Sequence, residues 1–231
     1  MWSREKRGFD LLIARSNEYH NVLKILKKIV HHLLRRKIFL DVGAGNPETL
    51  TSSIGKFFEK TCVIEPNPKY QKLHKQKGYS IISSILETAN LKPETFDFIL
   101  CAHVLYYVAV DRWREVIEKM YTSLTRGGIL VLVLHSEKSR THELMEIMYG
   151  RKLSVSAGKL EEIISKLYSK TQVYSYPGKI LLQSPAEYNM LIEFLGKSLP
   201  KNKSHATRKI QEFNKELQID NSGWIITIQK D

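Results

Sequence analysis

A glycine-rich loop and a following acidic residue have the clearest chemical meaning in this sequence. Gly43 and Gly45 follow the apolar run Ile38-Phe-Leu-Asp-Val, and Glu65 closes the next apolar run. Glycines in this place allow a tight turn and let the backbone approach a ligand closely. A carboxylate after the next strand can accept hydrogen bonds from both hydroxyls of a ribose. The pattern predicts a nucleoside site; the alternative is that the glycines only form a turn and Glu65 caps a helix.

The charges around this loop favour a cationic cofactor over a dinucleotide. A dinucleotide loop has a third glycine where this chain has Glu48. A carboxylate there would repel a pyrophosphate, and no lysine or arginine lies between Asp41 and Lys56 to offset it. Adenosine that carries a sulfonium fits the loop better, with Asp41 near the cationic amino-acid end. The expected cofactor is therefore S-adenosylmethionine.

Two histidines follow predicted strands at the edge where open α/β sheets bind ligands. His103 follows the fourth predicted strand, and His135 ends the fifth. An amine must lose its proton before it attacks a methyl group, and a hydroxyl needs a base, so His103 is the candidate catalytic residue. The alternatives are that His103 only packs on the cofactor and that His135 caps a helix. No spacing of His, Cys, Asp and Glu indicates a metal site, and none is expected.

Two tyrosines and a glutamate are further candidates for an acceptor pocket. Tyr106 and Tyr107 follow His103 closely, and a cation over an aromatic ring gains roughly 0.5–2 kcal/mol. Glu18 can attract an ammonium group. The alternatives are that one of the tyrosines belongs to the core and that Glu18 is an exposed surface residue. These residue types favour a small acceptor, with an amine as the first candidate.

The apolar pattern also predicts the elements that position these residues. Short apolar runs indicate strands, and apolar residues at helical spacing indicate amphipathic helices. Strands that alternate with helices predict an α/β fold with a mostly parallel sheet and helices on both faces. The predicted strands are 38–42, 62–65, 79–82, 96–102, 129–134, one within 171–183, and 224–228. The predicted helices are 9–36, with a second start at Ser16 or Asn17, then 47–58, 67–77, 110–124, one from Ser156, and 185–199.

No linker or internal repeat divides the chain, so one domain is expected over residues 1–231. Residues 1–37 would form N-terminal cap helices, and residues 38–135 the cofactor-binding core. Residues 136–231 would supply substrate-side helices and the final strands.

Four segments resemble successive motifs of class I S-adenosylmethionine-dependent methyltransferases. They are Asp41-Val-Gly-Ala-Gly, Val63-Ile-Glu-Pro, Phe96-Asp-Phe-Ile-Leu-Cys-Ala-His-Val-Leu-Tyr-Tyr-Val and Leu124-Thr-Arg-Gly-Gly-Ile-Leu-Val. The resemblance implies a Rossmann-like class I methyltransferase fold with a mostly parallel seven-stranded sheet. It also implies cofactor contacts from Pro66, from Ser83 or Ser84 at the adenine, and from the main chain of Ala102.

A patchier similarity links the chain to the histamine N-methyltransferase family. It comprises Leu105-Tyr-Tyr-Val, Tyr149-Gly, a leucine-rich helix at 190–195 and Asn221-Ser-Gly-Trp-Ile-Ile-Thr-Ile. In that family a glutamate from the N-terminal helices and an asparagine before the final strand contact the amine, and Glu18 and Asn221 fall at these places. The family's tyrosine pair matches Tyr106 and Tyr107, and a glutamine matches His103. The aromatic residues of the family's imidazole pocket are not recognisable in this chain.

Composition restricts the cellular setting. The 231 residues are 42% hydrophobic, and no apolar run reaches the roughly 20 residues that a membrane helix needs. The first residues lack a signal-peptide pattern, and Cys62 and Cys101 have no CxxC spacing, which suits a reducing compartment. We therefore expect a cytoplasmic protein without a membrane partner, and a monomer.

The formal net charge of +12 leaves nucleic acid as an open but less favoured partner. Neither basic cluster has the aromatic or arginine–glycine interleaving of an RNA-binding segment, so both are interpreted as solvated faces. Two rival hypotheses stay open: an RNA or protein methyltransferase, and a non-catalytic cofactor-binding subunit. The clusters are Lys24, Lys27, Lys28, Arg35, Arg36 and Lys37, and Lys197, Lys201, Lys203, Arg208 and Lys209.

Overall fold

A computed structural model describes residues 2–149, 156–195 and 217–231. Its helices are α1 (Trp2–Arg15), α2 (Glu18–His31), α3 (Thr51–Gly55), α4 (Pro68–Gln76), α5 (Trp113–Ser123), α6 (Arg140–Tyr149), α7 (Ala157–Leu167) and α8 (Pro185–Leu195). Its strands are β1 (Ile38–Val42), β2 (Lys60–Ile64), β3 (Ser80–Ile82), β4 (Phe96–Ala102), β5 (Leu124–His135), β6 (Thr171–Tyr176), β7 (Lys179–Leu181), β8 (Gln218–Asp220) and β9 (Gly223–Gln229).

Seven of these strands form one sheet in the order β3-β2-β1-β4-β5-β9-β6. β1 to β5 pair in parallel, and β9 runs antiparallel between β5 and β6. The strand order reverses between β1 and β4, which is the place where open α/β sheets form a ligand crevice at their carboxyl ends. The predicted mostly parallel seven-stranded sheet is confirmed.

Both faces of the sheet are covered by apolar helices. Successive residues of β4 point to opposite faces, so Phe98 and Leu100 join one core cluster while Ile99 and Cys101 join the other. The first cluster is completed by α2, through residues such as Leu26. The second is completed by α5 and α7. This burial on both faces explains why β1 and β4 are nearly continuous apolar runs.

The predicted helix over 47–58 is wrong in its length, because only Thr51–Gly55 is helical. The preceding residues form turns with local side-chain bonds: Asn46 Oδ1 accepts from the Glu48 amide at 3.1 Å, and the Thr49 hydroxyl donates to the Asn46 carbonyl at 2.7 Å. Such bonds compete with helical ones. The segment therefore extends the glycine loop instead of a helix.

A smaller β7–β8 sheet and α6, none of which the sequence pattern predicted separately, pack with the terminal helices. Leu144, Ile180, Leu191 and Ile219 share a third core cluster, against which Leu12 of α1 packs. An Arg15–Glu187 ion pair at 2.6 Å joins α1 to α8. The start of α2 is consequently held against the second half of the chain. The predicted end of the last long helix, 196–199, lies outside the described residues.

Candidate active site

The glycine loop is held by the carboxylate that was predicted to bind a ribose. Glu65 Oε2 accepts from the Gly45 amide at 2.8 Å, and Glu65 Oε1 accepts from the Asn67 amide at 2.7 Å. Gly43 and Gly45 have φ of +64° and +55°, which glycine adopts without strain. A Cβ on Gly43 would lie 2.5 Å from the Val104 side chain. Glu65 thus fixes the loop and retains lone pairs for a ligand.

A buried histidine of α4 also contacts the glycine loop. His74 of α4 is fully buried, and its Nε2 lies 2.9 Å from the Gly45 carbonyl oxygen. Burial lowers the pKa of His74, and the contact with Gly45 opposes that change. Sequence reasoning missed His74, because nothing in α4 indicates that its one buried side chain reaches back to the loop.

Asp41 gives this region a second buried acid. Its Oδ2 accepts from the Thr51 hydroxyl at 2.7 Å. Burial raises the pKa of Asp41 to about 7; the Thr51 bond opposes the rise and the Glu65 charge adds to it. Burial also raises the pKa of Glu65, against its two backbone bonds. Two neighbouring acids with raised pKa values favour a ligand that brings positive charge.

The other predicted cofactor residues lie along the same sheet edge. Pro66 and Ser83 are exposed, and Ser84 and Ala102 are partly buried. Ser84 Oγ lies 2.8 Å from Thr88 Oγ1 and donates to the Ile85 carbonyl. Glu48, in contrast, pairs with Lys77 on the surface at 2.6 Å. The case against a pyrophosphate therefore depends more on Asp41 than on Glu48.

Four of the predicted acceptor residues converge in one buried cluster. Glu18, at the start of α2, is 2% exposed. Its Oε1 lies 2.9 Å from His103 Nε2 and 3.2 Å from His135 Nε2. Its Oε2 accepts from Asn221 Nδ2 at 2.6 Å. Tyr176, at the end of β6, donates to Glu18 Oε1 at 2.7 Å. We call these five residues the Glu18 cluster.

The Glu18 cluster is adjacent to the cofactor loop. His103 directly follows β4. The residue after it, Val104, lies against Gly43 of the loop. Tyr19 bridges the two regions, since its pKa is raised by burial first and then by the charges of both Glu18 and Asp41. The cofactor loop and the cluster therefore lie side by side at the carboxyl edge of the sheet, near the point where the strand order reverses.

Comparison with known proteins agrees with this geometry. Residues 40–132 match the family model of the methyltransferase domain. The YcgJ protein of Bacillus subtilis has a similar structure, with a TM-score of 0.64 at 15% identity, covering 92% of this chain and 99% of that one. Residues 40–132 therefore carry a methyltransferase domain. For this domain, the predicted S-adenosylmethionine-dependent methyltransferase class and its cofactor are confirmed.

Two further comparisons give one similar structure and one similar sequence. An S-adenosylmethionine-dependent methyltransferase of Thermotoga maritima, described as a possible histamine N-methyltransferase, has a TM-score of 0.59 at 16% identity, covering 98% of this chain and 94% of that one. Probable polyketide synthase 7 of Dictyostelium discoideum is 24% identical over 54% of this chain. The chain spans 6% of the length of that curated relative.

The Glu18 cluster holds a buried anion. Burial alone would raise the pKa of Glu18, but the two imidazoles outweigh it and hold that pKa well below its usual value. Burial, together with the Glu18 charge, raises the pKa of Tyr176 well above its ordinary value, so this phenol stays a donor. Within the described chain, His103 Nδ1, His135 Nδ1 and Asn221 Oδ1 are buried without a hydrogen-bond partner.

The backbone at His103 is unusual for a side chain of this size. Its φ is +58°, in the left-handed region that costs most non-glycine residues energy. The His103 amide donates to the Val133 carbonyl at 3.0 Å, which holds this turn on β5. The strained turn aims the imidazole at Glu18 rather than along the strand.

The two predicted tyrosines differ in their positions. The Tyr106 ring stacks on His103 with an interplanar angle of 7°, and its hydroxyl oxygen accepts from the His135 amide at 2.6 Å. Tyr107 is 82% exposed, so its role at an acceptor stays a prediction. Sequence reasoning missed Tyr176 because the direction and pairing of β6 follow from tertiary structure. Its place within 171–183, where one strand was predicted, was the only available signal.

Within the described ranges, no helix combines the length and the apolar character needed to cross a bilayer. The first basic cluster lies on and after α2, with Lys24, Lys28, Arg36 and Lys37 exposed. Arg35 Nε lies 3.2 Å from the buried carboxylate of Asp97. The second basic cluster lies outside the described residues.

Proposed function

We propose that the protein transfers a methyl group from S-adenosylmethionine to a small-molecule acceptor that binds beside the Glu18 cluster. An amine nitrogen is the first candidate for the methylated atom. The observation that carries this proposal is the convergence of Glu18, His103 and His135 next to the Gly43–Gly45 loop. The cofactor supplies the activated methyl group, so the protein needs to supply position, a dry site and a way to remove the acceptor's proton.

His103 is the proposed catalytic residue because it is the more open of the two imidazoles. Its side chain is 18% exposed, against 11% for His135 and 3% for Glu18. An acceptor that enters the crevice therefore meets His103 before it meets the carboxylate. The Glu18 carboxylate contacts both imidazoles and stabilises a positive charge on them. This favours transfer of a proton from the acceptor to an imidazole.

Aromatic rings favour a small cationic or aromatic acceptor in the same crevice. Tyr106 stacks on His103, and Tyr19 meets the other imidazole edge at a centroid distance of 6.4 Å. The similar Thermotoga maritima structure is that of a possible histamine N-methyltransferase, and histamine is an amine. Both points support an amine as the first acceptor class to test.

A methyl-transfer screen tests the proposal. The full chain is incubated with S-adenosylmethionine labelled in its methyl group and with separate pools of amines, phenols, carboxylates, RNA and unfolded protein. We expect label in the amine pool. Label confined to RNA or protein would replace the small-molecule proposal with one of the rival hypotheses. Tight cofactor binding without any transfer would support a non-catalytic subunit.

A further inference from the structure

We propose that Glu18, His103 and His135 form a binding site for one divalent transition-metal ion of the Zn²⁺ or Co²⁺ type. No spacing along the chain indicates this metal site, because its three residues come from three distant elements: the start of α2, the turn after β4 and the end of β5. The fold brings one ligand atom of each residue within 4.8 Å of the other two.

Two of the three distances between these atoms are close to, and slightly shorter than, the edges of a metal coordination shell. Zinc–nitrogen bonds of about 2.0–2.1 Å place neighbouring ligand atoms of a tetrahedral site about 3.3–3.4 Å apart. Glu18 Oε1 lies 2.9 Å from His103 Nε2 and 3.2 Å from His135 Nε2. Both imidazoles therefore direct the same type of nitrogen at one carboxylate oxygen, and a small shift of the rings admits an ion between them.

The residues around the carboxylate ligand already provide the support that a metal site needs. Carboxylate ligands are normally held by further hydrogen bonds, which fix their orientation. Tyr176 and Asn221 hold the two oxygens of Glu18 at 2.7 Å and 2.6 Å. The left-handed φ of His103 and the Tyr106 ring fix one imidazole. The carboxylate and one of the two imidazoles are thus held in place before an ion binds.

The charge and the ligand number suit a catalytic ion. Among the described ion pairs, those of Glu18 are with imidazoles, which release their protons to a metal, and not with lysine or arginine. Two nitrogens and one oxygen suit borderline metals such as Zn²⁺. Three protein ligands leave a coordination position for an external molecule, which is typical of catalytic zinc sites.

The open position would hold the acceptor, and this step rests on the proposed function. A metal ion binds the lone pair of an oxygen or nitrogen and makes an attached proton more acidic. His103 and His135 would then hold the ion, so in the metal-loaded protein the ion, and not the His103 imidazole, would activate the acceptor. An amine would bind there in its neutral form and not as an alkylammonium ion.

Direct metal binding tests the site without any activity assay. Protein without an affinity tag is stripped with a chelator, dialysed and titrated with Co²⁺ by absorption spectroscopy and with Zn²⁺ by calorimetry. We expect one equivalent of each ion to bind, with visible Co²⁺ bands. Binding of S-adenosylhomocysteine and thermal unfolding of the metal-free protein check that every variant is folded.

Three variants and one control locate the ion. Glu18→Gln, His135→Asn and His103→Asn each remove a ligand, and asparagine tolerates the left-handed backbone at position 103. Each should weaken metal binding by more than the roughly 10–100-fold that loss of a supporting residue costs. His20→Ala changes an exposed histidine of the same helix and should bind as the unaltered chain does.

Absence of Co²⁺ and Zn²⁺ binding in the unaltered chain would overturn the metal site, and so would equal binding by all four variants. Methyl transfer by a protein that binds neither Co²⁺ nor Zn²⁺ would also overturn the metal site, but it would leave the proposed function in place. Metal binding without methyl transfer to any pool would leave the metal site and remove the proposed function.

Discussion

Glu65 shows how one side chain can serve both the loop and the ligand. Its two carboxylate oxygens accept backbone hydrogen bonds from Gly45 and Asn67, and each oxygen has further lone pairs. The motif Gly43, Gly45, Glu65 was predictable because it is local in sequence. The roles of His74 and Tyr176 were not, because each depends on a contact made across the fold.

We expect Glu65→Gln to weaken binding of S-adenosylhomocysteine by at least about tenfold, since hydrogen bonds to a charged group are worth roughly 1.5–3 kcal/mol. The amide would also place a donor against the donating amides of the loop. Glu48→Gln makes the same change at an exposed position of the same loop and should have little effect, because surface pairs are weak. Calorimetry measures both affinities; equal affinities would show that Glu65 does not hold the cofactor.

Asp41 predicts how cofactor affinity depends on pH. In the unliganded protein its pKa is about 7, so lowering the pH below 7 protonates the group. A cationic ligand prefers the ionised form, and S-adenosylmethionine affinity should therefore rise between pH 6 and pH 8 and then level off. Asp41→Asn, which keeps an oxygen for Thr51, should remove this dependence. Calorimetry over this pH range checks it, and an unchanged slope in the variant would contradict the assignment.

The same group makes a prediction about stability. Its folded pKa of about 7 lies above the ordinary 3.8. Between these values the folded state binds more protons than the unfolded state, so the contribution of Asp41 to the unfolding free energy falls as the pH rises. Asp41→Asn should gain stability relative to the unaltered chain between pH 5 and pH 8 without cofactor. Urea unfolding at both pH values measures this, and a difference that stays constant would refute it.

Among the strands, those buried on both faces could be predicted from the sequence, and those with a single buried residue could not. β1 and β4 were predicted correctly because both their faces are buried, which leaves continuous apolar runs. β7 and β8 each have a single buried residue, Ile180 and Ile219, between exposed ones. Their structure depends on the third core cluster, so no local pattern could indicate them. The short α3 was misjudged because turn bonds of Asn46 and Thr49 compete with helix.

Removing the Tyr176 hydroxyl tests whether β6 positions Glu18 at the start of α2. Tyr176→Phe keeps the ring and removes the donor to Glu18, which leaves a buried carboxylate with one fewer partner. We expect a loss of about 1–3 kcal/mol in the free energy of unfolding and reduced methyl transfer, with unchanged S-adenosylhomocysteine affinity. Tyr174→Phe, on the same strand with a more exposed hydroxyl, should change stability by less than about 0.5 kcal/mol. Equal effects of the two variants would argue against a positioning role.

For the whole molecule, the net charge of +12 is the main feature that the active site does not use. If the basic clusters are solvated faces, affinity for RNA should be weak, independent of sequence and steeply reduced by salt. Filter binding at several salt concentrations measures this. Sequence-specific binding that survives physiological salt, and that is lost when Lys197, Lys201 and Lys203 are changed to Glu, would favour an RNA acceptor.

In the proposed function, His103 is the residue that links the cofactor loop to the Glu18 cluster. One comparison tests that link most directly. Methyl transfer and S-adenosylhomocysteine binding are measured for the unaltered chain and for His103→Asn, with the best acceptor from the screen. We expect transfer to fall by roughly 100-fold or more, as for loss of a proton-transfer group, while the cofactor dissociation constant stays the same. Undiminished transfer by a folded His103→Asn variant would show that the acceptor does not react at the Glu18 cluster.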